Sequence, residues 1–169
     1  GNSLVINLKK SVLLQGQPQY KYKGQAIVSC AAMLRAALEK SAWVFSDATI
    51  APIPPSKIPG DVAYDDRMMQ IVARACEGKN ADVRNLLQQA QSYEASHTQA
   101  DGQRKKPHEL EALYKLVPPE PKKTVVLVDD VLTTGAHFVA ARNVIRASFP
   151  ECRVLGIFIA RRVPTNPFE

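Results

Sequence analysis

The sequence predicts an α/β fold in which a mainly parallel central sheet carries helices on both faces. Short runs of apolar, β-branched residues alternate with longer stretches that have apolar residues at helical spacing, and this alternation is typical of parallel sheets. The run at 125–128 contains only Val and Leu, as expected of a strand that is buried on both faces. The whole chain, 1–169, is expected to form a single domain.

Composition narrows the class of protein. Hydrophobic residues make up 46% of the chain and charged residues 22%, which is ordinary for a globular protein. No apolar run approaches the ~20 residues of a membrane span, and no signal-peptide pattern is present at the start, so no membrane partner is expected. The net charge of +6 suits nucleic acid or a polyanionic small substrate, and no interleaving of aromatic and basic residues favours nucleic acid.

The cysteines indicate a reducing compartment. Cys30, Cys76 and Cys152 are odd in number, widely spaced and surrounded by apolar neighbours. This pattern is not a disulfide framework or a zinc site. Buried, reduced thiols in a cytoplasmic protein are the expectation.

The N-terminal third is expected to contain a hairpin and a helix. Residues 4–8 and 11–14 are short apolar runs separated by two lysines, which predicts a β-hairpin or a pair of edge strands. Residues 24–41 carry apolar residues at helical spacing and predict a helix.

The middle of the chain is expected to supply a central strand, a helix and a further strand. Residues 48–53 predict the strand, which ends at a Pro-Pro pair. Asp65 or Asp66 is expected to cap the following helix, which stops at Gly78. Residues 82–87 could form the next strand.

The last part of the chain is expected to begin with a mobile loop. Residues 91–107 are polar and have no period. Pro107 is expected to start a short helix through about Leu116, and three prolines then lead into the strand at 125–128. Residues 154–160 predict another buried strand.

Residues 125–138 combine a strand, a polar loop and the start of a helix, Val-Val-Leu-Val-Asp-Asp-Val-Leu-Thr-Thr-Gly-Ala-His-Phe. Asp129 and Asp130 follow the apolar run, where the strand is expected to end. Ligands bind at the carboxyl ends of parallel strands, and loop amides before a helix N-terminus bind anions. Because carboxylates can hold a metal ion or vicinal hydroxyls, the run predicts a site for a sugar phosphate.

This run resembles the signature of the type I phosphoribosyltransferases, which use phosphoribosyl pyrophosphate (PRPP). Every position matches except the last, where His137 replaces the usual Thr or Ser. A receiver domain also carries Val-Asp-Asp, but on an early strand and without Thr-Thr-Gly-Ala; a strand-turn-helix with solvated acids is the alternative without a ligand. The resemblance implies a type I phosphoribosyltransferase-like fold with a small hood, which would come from the N-terminal hairpin and the tail 163–169.

The resemblance also implies roles for these residues. Asp129 and Asp130 would be catalytic, holding the 2- and 3-hydroxyls of the ribose and Mg²⁺, directly or through water. The 5-phosphate would be bound by the loop residues Thr133, Thr134, Gly135, Ala136 and His137. The implied reaction is transfer of the 5-phosphoribosyl group to an unidentified acceptor with release of pyrophosphate, and a homodimer is left open.

A second motif follows the predicted strand at 48–53. Pro52-Ile53-Pro54-Pro55-Ser56-Lys57 resembles the pyrophosphate loop of ComF-like proteins and of amidophosphoribosyltransferases. Pro55, Ser56 and Lys57 would bind pyrophosphate, and Lys57 is also expected to act in catalysis as a point charge. The alternative is a proline-rich turn with a solvated lysine.

Further features bear on substrate and regulation. Tyr-Asp-Asp-Arg-Met at 64–68, together with the run at 129–138 and Ala-Arg-Arg at 160–162, resembles a group of bacterial phosphoribosyltransferase-like proteins that have no assigned substrate. Arg67 forms an exposed ion pair or faces a phosphate. Arg104, Lys105 and Lys106 could close over the site, or belong to a disordered basic loop. Thr133 stands where hypoxanthine-guanine enzymes carry an acid, which argues against that substrate class.

Two functions therefore remain open. One is an Mg²⁺-dependent transferase, and the other is a non-catalytic module that senses PRPP or a nucleotide and regulates a partner. His137 is expected to point outward, because the loop amides can hold the anion without it.

Overall fold

A computed structural model of the chain describes residues 2–93 and 105–162. Its helices are α1 (Asn2–Leu8), α2 (Lys21–Glu39), α3 (Trp43–Asp47), α4 (Arg67–Ala75), α5 (Pro107–Glu111) and α6 (Ala136–Ser148). Its strands are β1 (Ala48–Pro52), β2 (Asp82–Val83), β3 (Leu87–Gln89), β4 (Tyr114–Leu116), β5 (Thr124–Leu132) and β6 (Arg153–Arg161). Two short 3₁₀ helices, Val12–Leu14 and Pro18–Tyr20, lie between α1 and α2.

The main sheet is parallel and has the strand order β2-β1-β5-β6. β1 and β5 lie side by side in its centre, with Ala48 opposite Thr124 and Pro52 opposite Val128. This confirms the predicted α/β class and the central position predicted for the strand at 48–53. Parallel pairing brings the carboxyl ends of β1 and β5, with the loops that follow them, to one edge of the sheet.

Helices cover both faces of this sheet, as predicted. Val126 and Val128 of β5 pack into a core with α1, α2, α3 and α4, while Val125 and Leu127 pack against α5 and α6. Each of these four side chains is at most 1% exposed. Because successive residues of a strand point to opposite faces, the uninterrupted apolar run reports burial on both sides.

The predicted N-terminal hairpin is wrong, because residues 2–8 form α1 and residues 12–14 form a 3₁₀ turn. Leu8 is fully buried and Leu4 packs against the same core, whereas Ile6 is 64% exposed. A strand would place all three on one face, so this burial follows the helical period. In the 3₁₀ turn, the Ser11 hydroxyl caps by accepting from the backbone N–H of Leu13 at 3.2 Å.

The predicted strand 82–87 is two separate strands. β2 pairs with β1, and the chain then leaves the sheet at Arg84, whose side chain donates to the carbonyls of Pro119 at 2.7 Å and Glu120 at 2.6 Å. β3 pairs antiparallel with β4 in a second, small sheet. The helix from Pro107 accordingly ends at Glu111 and does not reach Leu116.

β6 forms one edge of the main sheet. The prediction that residues 154–160 form a strand is confirmed, but the prediction that this strand is buried is wrong, because its side chains are half-buried or exposed. No described strand pairs with its outer edge. The apolar side chains of β6 lie on both faces of the sheet. They stay partly exposed because no described strand covers the outer edge of β6.

Other predicted elements are confirmed. Residues 24–41 lie mostly in α2, and α4 ends just before Gly78, which has a φ of +74°. The three cysteines are buried and free. In the described parts of the chain, no helix is long and apolar enough to cross a membrane. Residues 94–104 of the predicted mobile loop, and the tail 163–169, lie outside the described residues.

Candidate functional site

A cleft of about 450 Å³ opens at the carboxyl ends of β1 and β5. The loop after β1 (54–57) lines one part of it, and Thr133 and His137 from the segment after β5 line another. The volume lies within the range of small-molecule sites. The structure thus brings Thr133 and His137 of the predicted phosphate loop into one cavity with residues 54–57. Gly135 and Ala136 instead line a separate, much smaller pocket, and Thr134 lines neither.

The two acids lie within β5 and not after it, because the strand continues to Leu132. Asp129 pairs with Phe158 of β6, and its side chain accepts the backbone N–H of Asp130 at 2.8 Å. Neighbouring residues of a strand face opposite sides. Asp130 therefore shares the face of Val126 and Val128, whereas Asp129 lies on the face towards α6.

Asp130 is the centre of an ion network. It is 7% exposed, and its two oxygens lie 2.7 Å from Arg67 Nη2 and 3.3 Å from Lys9 Nζ. Burial would raise the pKa of Asp130, but Arg67 and Lys9 outweigh it and hold that pKa below its usual value. Asp130 is therefore an ionised and already paired carboxylate. The expected ion pair of Arg67 is present but is half-buried and not exposed. Arg67 also lines the cleft, and its alternative role of facing a phosphate stays a prediction.

The network continues to a buried lysine. Asp65 Oδ2 lies 2.8 Å from Arg67 Nη1 and 2.7 Å from Lys23 Nζ. Lys23 is 3% exposed, and its ammonium also donates to the backbone carbonyls of Leu8 at 2.9 Å and Lys10 at 2.7 Å. Burial lowers the pKa of Lys23, although Asp65 acts against that shift. The three acceptors compensate for much of the cost of burying a charge.

Asp129 has a different environment. Burial, and next the charge of Asp130, raise the pKa of Asp129 to about 7. The charge of Asp129 also affects two tyrosines. Burial, and next Asp129, raise the pKa of Tyr93 to about 12. The pKa of Tyr114 lies well above its usual value, chiefly because of burial. Two adjacent carboxylates are thus differentiated by their surroundings, one ionised and one near its titration point at neutral pH.

The segment Thr133–Gly135 connects β5 to α6. Gly135 has a φ of +77°, in the left-handed region that favours glycine, and it immediately precedes α6. Thr133 and Thr134 are exposed, and the Thr134 hydroxyl accepts the backbone N–H of Ala136 at 3.4 Å. The helix begins at Ala136, so the dipole of α6 is directed at this turn.

The expectation that His137 points outward is wrong. It lines the cleft, and its Nδ1 lies 2.9 Å from the hydroxyl of Tyr114 on β4. Burial lowers the pKa of His137, so the ring is neutral at neutral pH. His137 therefore links the first turn of α6 to the small sheet, and Tyr114 fixes the orientation of the ring.

The loop after β1 is attached to the chain just before residue 94. The backbone N–H of Tyr93 donates to the carbonyl of Ser56 at 2.9 Å, and the N–H of Ile58 donates to the Ser92 hydroxyl at 3.1 Å. Ser92 in turn donates to Asp61 at 2.7 Å. Ser56 and Lys57, both half-buried, are therefore held in a braced loop that faces the cleft.

The basic residues expected to close over the site are divided. Arg104 lies outside the described residues. Lys105 Nζ lies 5.5 Å from the centre of the Tyr93 ring, whereas the backbone N–H of Lys106 donates to Glu109 at 2.7 Å at the start of α5. Lys105 thus approaches a residue of the cleft, and Lys106 has a capping position.

The described residues could hold Mg²⁺ only if a bound substrate supplied further oxygen atoms. Residues 2–93 and 105–162 contain no group of three or more His, Cys, Asp or Glu able to hold a metal ion. Both oxygens of Asp130 face cations, which leaves Asp129 as the available carboxylate of the pair. Mg²⁺ is commonly bound by one or two carboxylates plus the phosphates of a substrate, and Asp129 fits that role.

Sequence reasoning missed four side chains of this region, namely Lys9, Lys23, Tyr93 and Tyr114. Lys9 was part of an expected hairpin turn, and Lys23 was an unremarked polar position just before the predicted helix. Nothing local marks either residue, because Lys23 meets Asp65 across 42 residues of chain. Lys23 precedes the predicted helix 24–41, whereas α2 begins at Lys21. Its spacing of four residues from Ile27, on the same helical face, was the one available signal for Lys23.

Comparison with known proteins identifies no family. No protein-family model matches the chain, and a search of curated proteins gives no significant match. The function is therefore argued from the cleft and its residues.

Proposed function

We propose that the cleft binds PRPP with Mg²⁺ and that the protein transfers the 5-phosphoribosyl group to an acceptor, releasing pyrophosphate. One observation carries the proposal: the loop after β1, the two carboxylates, and Thr133 and His137 from the segment after β5 line a single cavity of about 450 Å³. A ligand with a phosphate at one end, a diol in the middle and a diphosphate at the other end matches this order of groups.

In this proposal the 5-phosphate lies against the turn before α6. Gly135 lets the anion approach the chain closely, and the helix dipole favours negative charge there. Ser56 and Lys57 receive the diphosphate, as a hydroxyl donor and a point charge. Asp129 accepts from a ribose hydroxyl or holds Mg²⁺, which when bound neutralises charge on the departing pyrophosphate.

The reaction breaks the bond between C1 of the ribose and the diphosphate oxygen while the acceptor's lone pair bonds to C1. Positive charge grows on the ribose ring, and negative charge grows on the leaving group, so fixed cations beside the diphosphate lower the barrier. The acceptor releases its proton to water as the new bond forms. The buried, free thiols favour the cytoplasm as the place of this activity.

The experiment is incubation with PRPP, Mg²⁺ and a panel of bases and amines, with pyrophosphate release as the readout. Release that depends on one acceptor, and that is lost in Lys57→Gln, supports the transferase. Absence of both PRPP binding and release contradicts the proposal.

The second candidate is a module that binds PRPP or a nucleotide without turnover. The pairing of Asp130 with Arg67 and Lys9 favours it, because a carboxylate already paired at 2.7 Å and 3.3 Å has fewer lone pairs left for a diol. Tight PRPP binding without pyrophosphate release, across the whole panel, would support this candidate.

A further inference from the structure

Lys9 is the only lysine besides Lys57 among the residues that line the cleft. It follows α1 directly, and its side chain is 26% exposed, whereas the other members of the ion network are less exposed. Lys9 therefore forms the solvent-facing end of the network.

The charges of this network do not cancel. Lys9, Arg67 and Lys23 are three cations, and Asp130 and Asp65 are two carboxylates. The inner cations have contacts of 2.7–2.8 Å with their carboxylates, whereas Lys9 has one contact at 3.3 Å. Asp66 and Asp129 also line the cleft, so the relevant feature is not a net charge but that Lys9 has the longest contact of the three cations and the most exposed side chain.

The buried side chain of Lys23 holds the backbone on both sides of Lys9. The ammonium of Lys23 donates to the carbonyls of Leu8 and Lys10, the two residues that flank Lys9. Burying a lysine is costly unless its donors are satisfied. The two carbonyls and Asp65 satisfy the three donors of Lys23, and these contacts hold the turn at Lys9 against α2. This arrangement orients Lys9 towards Asp130 and the cavity.

We infer that Lys9 is an anion-binding residue of the cleft that contacts the ligand's diphosphate, and that Lys23 is its positioning residue. The identity of the anion rests on the proposed function. The loop 54–57 lines the same cavity, so Lys9 and Lys57 supply cations to one anion. The protein's own side chains then neutralise part of the diphosphate charge, and inorganic pyrophosphate binds without a divalent metal.

The test is calorimetric titration of the full chain with inorganic pyrophosphate in EDTA. Wild type is expected to bind, and Lys9→Gln is expected to lose affinity about tenfold or more, ~1.4 kcal/mol. Lys10→Gln is the matched control. It removes the same charge from the next residue along the chain, whose side chain does not line the cleft. Lys9→Arg should restore most of the affinity.

A double-mutant cycle separates positioning from general stability. Lys23→Met should lower pyrophosphate affinity in the wild-type background and have no further effect in Lys9→Gln. Equal losses in both backgrounds would contradict the positioning role. If Lys23→Met does not fold, the comparison of Lys9→Gln with Lys10→Gln decides.

Three outcomes overturn the inference: no binding of pyrophosphate in EDTA, binding that appears only with Mg²⁺, or equal affinities of Lys9→Gln and Lys10→Gln. Failure of the proposed function is distinct. In that case PRPP neither binds nor turns over, whereas pyrophosphate binding in EDTA still depends on Lys9.

Discussion

Asp129 and Asp130 show how two identical side chains acquire different chemistry from their neighbours. Asp130 faces Arg67 and Lys9, which keep it ionised, whereas Asp129 lies among Tyr93, Tyr114 and the backbone of β5. Pairs of titratable groups whose pKa values are driven apart are typical of active sites. The sequence shows only two adjacent acids, so the difference arises from the fold.

The raised pKa of Asp129 predicts a pH-dependent stability. Between pH 4 and pH 7, roughly, the folded protein keeps a proton on Asp129 that the unfolded chain has lost, so the free energy of unfolding falls as pH rises. Asp129→Asn removes this fall and should gain stability over wild type by more than ~1 kcal/mol from pH 5 to pH 8. Urea unfolding at both pH values measures it, with Asp47→Asn, an exposed acid, as control. An unchanged difference between variant and wild type would argue against the raised pKa.

His137 gives a second prediction at this scale. His137→Thr removes the 2.9 Å contact with Tyr114 and leaves a buried phenol without that partner, which should cost about 1 kcal/mol. Tyr114→Phe should then cost less in the His137→Thr background than in wild type, because the shared contact is already lost, as measured by denaturant unfolding of all four proteins. Additive losses would show that the two side chains are not coupled.

At the scale of elements, the turn between β5 and α6 combines a backbone requirement with a binding role. Gly135→Val places a β-branched residue at φ +77° and should cost about 1–2 kcal/mol, in addition to blocking anion access. Gly78 provides the matched control, because it has a φ of +74° after α4, outside the cleft. Gly78→Val should lose similar stability and keep phosphate binding, which Gly135→Val should abolish in a titration with ribose 5-phosphate. If Gly135→Val bound ribose 5-phosphate as well as Gly78→Val, the turn before α6 would not be part of the binding site.

The elements also show where sequence reasoning succeeds. The strands at 48–53 and 125–128 were predictable because a short, uninterrupted apolar run is typical of a strand of a parallel sheet. The continuation of β5 through the two acids to Leu132 was not predicted. Residues 4–8 were not predictable, since a five-residue apolar run fits a strand or a helix equally well until its packing partner is known. α1 gains its helical form from the contacts of Leu4 and Leu8 with the core around α2.

The same contrast holds for the candidate site. Residues 129–137 are contiguous, so their pattern could be recognised along the chain. Arg67 and Asp130 are 63 residues apart, and no local pattern connects them. A motif therefore indicates the parts of a site that one loop supplies, and the ion network that surrounds it becomes visible only in the folded chain.

At the scale of the whole molecule, the cleft exists because β1 and β5 are adjacent and parallel. Each strand contributes one loop, and residues of both loops line the same cavity as the two acids. Leu87 and Tyr114 of the small sheet pack into the same core as α6. The sheet also positions His137, through the hydroxyl of Tyr114. The site thus depends on three separate parts of the fold.

If the two loops bind the two ends of one ligand, the fragments of that ligand should bind independently. Ribose 5-phosphate and pyrophosphate should each raise the unfolding temperature, and both together should raise it further. At about 100 times the Kd, each fragment adds ~2.7 kcal/mol, which for a chain of this size shifts the midpoint by roughly 5–10 °C. Gly135→Val should lose only the response to ribose 5-phosphate, and Lys57→Gln only that to pyrophosphate. Thermal unfolding of the three proteins with each fragment measures this; if the two fragments exclude one another, both loops serve a single anion and the geometry proposed for PRPP is wrong.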